Sequence, residues 1–196
     1  QPSAAHARVA VLVSWFYHVA GAEVAETRLV IHNGELATVS PVIGGEMVNP
    51  VDLTESELAA LGEHFAVDAW LDYWDVAGNL LRTFDGRVVR IDLGGSLWFR
   101  ASGPIKSNPP FGSIVSAWET LRSSEHNLLA AHVFGGMRPE QLEMSARLFL
   151  ERITDEEIRE AVYAAGFDPA DTASLIELLL ARRADIARRS ERKHRR

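Results

Sequence analysis

The chain has 196 residues, 47% of them hydrophobic, and a formal net charge of -7, which is enough to bury one core with at most a small appendage. It contains no cysteine, excluding disulfides, thiolate metal sites and a cysteine nucleophile while permitting a reducing compartment. The charge is uneven, because residues 182–196 carry eight Arg or Lys against two acids and leave the body at -13, a distribution unlike that of a uniformly basic nucleic-acid binder.

The apolar stretch from Val9 to Ala22 places Val9, Leu12, Val13, Phe16 and Ala20 at helical spacing before Gly21, which predicts an amphipathic first helix. It is too short to span a bilayer. Its ending Ala20-Gly21-Ala22 resembles a signal-peptide cleavage site only superficially. No transmembrane helix is expected anywhere, and the expected location is cytoplasmic. Residues 27–32 and 35–40 flank Asn33-Gly34, the dipeptide suited to a two-residue hairpin turn.

Pro41, Gly44, Gly45 and Pro50 are expected to keep the chain irregular until Thr54. With Glu57, Thr54 forms a capping box for a helix that carries Leu58, Leu61, Phe65 and Ala69 inward and runs to about Asp72. Residues 79–83 and 87–91 are apolar or β-branched runs around Asp85-Gly86 and predict a second hairpin, delivering Asp92 to the pair Gly94-Gly95. Residues 101–113 read as a loop rich in Gly, Pro, Ser and Asn.

Helices are expected from there on. Trp118 and Leu121 mark a short one, Pro139 opens the next, and Thr154 with Glu157 makes another capping box before a Gly166 stop. Leu175, Leu178, Leu179 and Ile186 define the last. The five Trp residues are expected mainly in the core. The seven His residues have no zinc spacing, and no serine-hydrolase elbow occurs.

The segments 20–30, 66–103, 119–137 and 153–167, above all AVDAWLDYWDVAGNLLRTFDGRVVRIDLGGSLWFRASG, resemble bacterial kinase-fold proteins grouped with HipA and the phosphatidylinositol 3- and 4-kinases. The order of helix, hairpin, helix, hairpin, loop and helices is that of a protein kinase from its helix C onward. The resemblance implies an α+β, predominantly α fold: a protein-kinase-like C-lobe with a partial N-lobe, consisting of a helix C-like helix and a β-hairpin. The expected division is a partial N-lobe over 1–48, a helical C-lobe with a metal hairpin over 49–181, and a basic helix end or tail over 182–196.

The resemblance also implies roles. Asp75 would orient or deprotonate the acceptor hydroxyl, Asn79 and Asp92 would hold Mg2+ on the phosphates of ATP, and Gly94 would let the chain bend beside the nucleotide. Hard oxygen donors suit that role because the transferred group is highly charged. Phe84-Asp85-Gly86 reads as ordinary turn chemistry.

The chain departs from a working kinase in several places. A working kinase is expected to carry a glycine-rich loop and a strand lysine ahead of helix C, whereas this chain begins with Gln1-Pro2-Ser3 and has no Lys before Lys106, and the position of the helix C Glu falls near Ala10. Asp75 and Asn79 are four apart rather than five, and Tyr73 occupies a position that is commonly Asn in the relatives. The expected function is therefore a degenerate or incomplete phosphotransferase that binds Mg-ATP, its acceptor being a protein, a lipid or a small molecule. The alternative is a non-catalytic interaction module that uses the basic tail to bind acidic partners or nucleic acid.

Overall fold

The computed structural model describes residues 4–100, 103–107 and 110–191. Gln1-Pro2-Ser3, part of the predicted 101–113 loop, and Arg192, Lys193, Arg195 and Arg196 of the basic tail therefore lie outside the described residues. The fold is α+β and predominantly helical, with two small antiparallel sheets.

Helix α1 (Ala4–Val19) has the predicted apolar stripe, with Val9, Leu12, Val13, Phe16 and Tyr17 buried. It stops two residues before Gly21, which takes the left-handed conformation at φ 76° that glycine adopts without a Cβ penalty. Strands β1 (Arg28–His32) and β2 (Glu35–Val39) form the first hairpin, in register from Arg28↔Val39 to His32↔Glu35. Asn33 and Gly34 both have positive φ, the signature of the type I′ turn expected there.

The stretch predicted to be irregular contains a strand. β3 (Gly45–Met47) pairs antiparallel with β4 (Leu80–Thr83), which in turn pairs with β5 (Val88–Arg90). Glycine has low strand propensity, and β3 forms because a ready β4 edge satisfies its backbone groups. On the other side of this sheet, residues 23–25 lie against β5, with Ala25 N donating to Arg90 O at 3.1 Å and Arg90 N to Glu23 O at 3.0 Å.

Helix α2 (Glu55–Glu63) carries the capping box at Thr54 and Glu57. The single helix expected to reach Asp72 is broken at His64, after which α3 (Phe65–Trp70) continues with all six residues buried. The break lets Ser145 serve both sides of it. Its hydroxyl donates to Glu63 O and accepts from Ala66 N, each at 2.9 Å, pairing groups that the interrupted ladder leaves over.

The remaining helices are α4 (Ala117–Thr120), α5 (Leu128–Phe134), α6 (Pro139–Arg152), α7 (Asp155–Ala165) and α8 (Pro169–Glu191). Of these, α4, α5, α6 and α8 pack against α3, while α7 packs on α8 and α1. α5 was not read from the sequence, since Leu128 and Leu129 are exposed and blur its apolar stripe. α7 has the predicted capping box and ends at Gly166 with φ 71°. Of the tryptophans, Trp70 and Trp118 are buried in the core and Trp98 packs against it, as expected for most of them, whereas Trp15 and Trp74 are more than a third exposed. No helix among the described residues is long and apolar enough to cross a membrane.

Candidate functional site

The β4–β5 hairpin is closed at its tip by Thr83, whose amide donates to Arg87 O at 2.8 Å, and by Gly86 at φ 86°. Phe84 at that tip is solvent-exposed, so Phe84-Asp85-Gly86 is a turn, as its chemistry indicated. The other end carries the candidate residues. Ile91 N donates to Asn79 O at 3.0 Å, which extends the ladder by one step and holds Asn79 beside the residue that precedes Asp92.

Asp92 itself is left-handed, at φ 51° and ψ 60°. A non-glycine residue in this region is uncommon, and such strain concentrates where a backbone must present a side chain for function. The bend after the hairpin is therefore made by Asp92 and not by the glycines. Gly94 plays a different part, since a Cβ there would lie 2.7 Å from the His6 ring, whose Nε2 is 2.9 Å from Gly94 O. Its lack of a side chain lets α1 close onto the end of the hairpin.

Tyr73 organises the same spot from below. It is fully buried, and its hydroxyl is directed at Ile91 O at 2.6 Å and Asp92 O at 3.2 Å. Burial pushes the pKa of this phenol well above its ordinary value, and the nearby Asn79 side chain works against that shift. At the position where Asn was expected by resemblance, Tyr73 thus holds the backbone that carries Asp92.

A cavity of about 630 Å³ opens between α1, the β1–β2 hairpin and the end of β5, well inside the range of small-molecule sites. Asp92, Leu93 and Gly94 line one side, His6, Ala7 and Ala10 another, and Thr27, Thr38 and Ser40 bring hydroxyls. Ala10, where a helix C acid was sought, faces this space. The charged lining comprises Asp92 and Glu35, with no Lys or Arg among the described residues.

Asp75 stands outside that lining, at the start of a single 3-10 turn formed by Val76–Gly78. Partial burial raises its carboxyl pKa, Lys106 and Arg100 pull it back, and Asp92 raises it further. Asp75, Asp92, Lys106 and Arg100 therefore share one electrostatic neighbourhood. Lys106 is buried, with Nζ 2.5 Å from Asp72 O and 3.0 Å from Asp72 Oδ2.

For Mg2+, Asp92 offers a hard carboxylate to the cavity, whereas Asn79, at the same end of the hairpin, is not among the residues that line it. A single carboxylate suits an ion which keeps waters and takes its remaining ligands from phosphate. Among the described residues no group of three or more His, Cys, Asp or Glu side chains could hold a metal by itself.

The C-terminal arginines are in part structural. Arg182 is buried, with Nε donating to Trp70 O at 2.6 Å, Nη2 to Ala69 O at 2.9 Å, and Nη1 to Gly112 O at 2.8 Å and Ile114 O at 3.0 Å. Arg183 donates to Ile153 O at 2.6 Å and Leu150 O at 3.0 Å. Arg189 pairs with Asp185 and Glu119.

Neither the hold of Tyr73 on the Ile91 and Asp92 carbonyls nor the pairing of buried Lys106 with Asp72 is foreseeable from local sequence. The signal for Lys106 was its rarity, since the chain's other lysine is Lys193. Tyr73 offered only its place between Asp72 and Asp75. No family model, no curated protein and no solved structure matches this chain.

Proposed function

We propose that the chain is a kinase-like nucleotide-binding module that takes up ATP as its magnesium complex, with phosphoryl transfer weak or absent. The observation that carries this reading is Asp92, held left-handed at the end of the β4–β5 hairpin and facing the cavity of about 630 Å³. Two lining carboxylates without a lining cation disfavour a bare triphosphate, so a divalent ion must accompany it.

Weak transfer follows from the same geometry. Asp75 lies off the cavity and its spacing to Asn79 is short by one residue, and misplacement by about 1 Å costs on the order of a hundredfold in rate. The interaction alternative would rest on the C-terminal cations, and Arg182, Arg183 and Arg189 direct theirs at internal acceptors.

Thermal-shift and calorimetric titrations with ATP, with and without Mg2+, test the reading on wild type and Asp92→Ala. A magnesium-dependent rise in Tm that the variant loses supports it. A wild type that Mg-ATP does not stabilise would overturn it. Turnover of labelled ATP then measures the transfer step.

A further inference from the structure

Strands β1 and β2 form a sheet of their own that packs on α1, and two strands alone make a marginal sheet. In an antiparallel pair closed by a two-residue turn, the residues flanking the turn exchange both hydrogen bonds, as does every second pair after them. Arg28, Val30 and His32 therefore bond to β2, while Leu29 and Ile31 direct their N–H and C=O groups to the outer edge of β1. No strand pairs with that edge among the described residues. Its side chains are apolar as well as open to solvent, Ile31 being 71% and Val30 37% exposed, a combination that makes a strand edge a template for another strand. We propose that the outer edge of β1 pairs with β1 of a second copy of this chain, joining the two hairpins into one four-stranded antiparallel sheet, a contact that does not depend on the nucleotide site.

The register follows from which groups are free. Thr27, the next residue whose amide points outward, already donates it to Ser14 Oγ at 3.2 Å, which leaves Leu29 and Ile31 to pair. Opposing Leu29 with Ile31 of the second copy, and Ile31 with its Leu29, engages every free N–H and C=O and places a two-fold axis at Val30. Such an isologous contact needs a surface complementary to itself. On one face of the joined sheet, Ile31 lies between Leu36, its partner within the hairpin, and Leu29 of the second copy. On the other face Val30 opposes Val30 at the axis, and Arg28 of the second copy stands across His32 from Glu35.

Charge complementarity favours a second copy over an unrelated strand. Among the described residues Glu35 makes no ion pair, and Arg28 pairs with Glu26, two residues away and as exposed as itself. Across the axis each guanidinium shares a face with Glu35 of the other copy, two strand spacings or about 10 Å apart at the backbone. Two long side chains span that gap, and symmetry makes the pair twice. One strand pair buries less than a standard interface of about 1,200–2,000 Å², so the dimer is reversible and its population rises with concentration.

Sedimentation equilibrium on the full chain, from micromolar up to about 1 mM, should show wild type passing from monomer to dimer. Val30→Lys sets two ammonium groups against each other at the axis, and Val30→Glu two carboxylates, so each alone should raise the dissociation constant about tenfold or more. An equimolar mixture of the two should dimerise again, because Lys then faces Glu. A wild type that stays monomeric throughout overturns the proposal, as does a dimer that Val30→Lys leaves unchanged or a mixture that stays monomeric. If circular dichroism shows the Val30 variants unfolded, Ile31→Lys decides at a position 71% exposed: a monomer supports the pairing, and a dimer as strong as wild type overturns it. A monomeric wild type that binds an extended apolar peptide, and loses it in Ile31→Lys, gives the edge to another protein's strand and overturns self-pairing.

Discussion

Arg90 and Asp68 meet inside the core as a two-pronged ion pair, with Nε to Oδ1 at 2.8 Å and Nη2 to Oδ2 at 2.7 Å, both side chains out of contact with solvent. Tyr17 adds a hydroxyl at 2.6 Å from Oδ1, and Arg90 reaches Leu61 O at 3.2 Å. Burial pushes the Asp68 carboxyl up while the guanidinium pulls it back, and three donors on one carboxylate favour its ionised form. Arg90 stands two residues before Asp92, so this pair anchors the base of the candidate site to α3.

Removing one partner leaves an uncompensated buried charge. Asp68→Ala or Arg90→Met is expected to cost about 3–5 kcal/mol in urea unfolding. The double replacement Asp68→Leu with Arg90→Met should cost less than either single change, because no charge is then stranded. A double variant at least as damaged as the sum of the singles would refute this account.

Asp92 combines local strain with a proposed ligand role, and two substitutions separate them. Asp92→Gly relieves the left-handed backbone and should leave stability equal or higher by up to about 1 kcal/mol, while abolishing magnesium-dependent stabilisation by ATP. Asp92→Val should cost about 1–2 kcal/mol for the same backbone. Denaturation midpoints with and without Mg-ATP read both effects.

Arg182 donates to four backbone carbonyls, two at the end of α3 and two in the segment before α4. Arg182→Met orphans them and is expected to destabilise by about 3 kcal/mol or more. Arg182→Lys should rescue little, since a single ammonium does not reproduce a fork reaching four acceptors. Near-wild-type stability of the Lys variant would show that charge alone suffices.

Burial lowers the His64 pKa to about 4, with Arg90 and Arg152 contributing. Its folded pKa is below the unfolded value of about 6.5, so the contribution is present above that pH and is lost as pH falls from about 6.5 towards 4. Allowing for its partial exposure, the loss is on the order of 1 kcal/mol. Glu57, held down to about 2 chiefly by Arg82, gives way in a lower window, as pH falls below about 4.5. Tm measured from pH 7 to pH 4 should fall, and His64→Gln should flatten the upper part of that decline while leaving the part below pH 4.5.

Local elements were legible because their causes are local. The Asn33-Gly34 turn, the capping boxes at Thr54 and Thr154, the Gly166 stop and the apolar stripe of α1 each depend on residues within a few positions of one another. The β4–β5 hairpin was readable for the same reason: its two runs and its turn adjoin in sequence, which places Asn79 and Asp92 at one end without reference to anything else.

What was hidden depends on partners far along the chain. β3 needs the edge of β4 some 35 residues away, and the break at His64 needs Ser145. Arg182 looks like tail charge until α8 packs beside α3, and Lys106 looks like loop until it reaches Asp72. The hairpin at Asn79 and Asp92 follows from local pattern, whereas the cavity beside it and the pairing of buried Lys106 with Asp72 arise from long-range packing, because burial and charge pairing are properties of surfaces that meet only on folding.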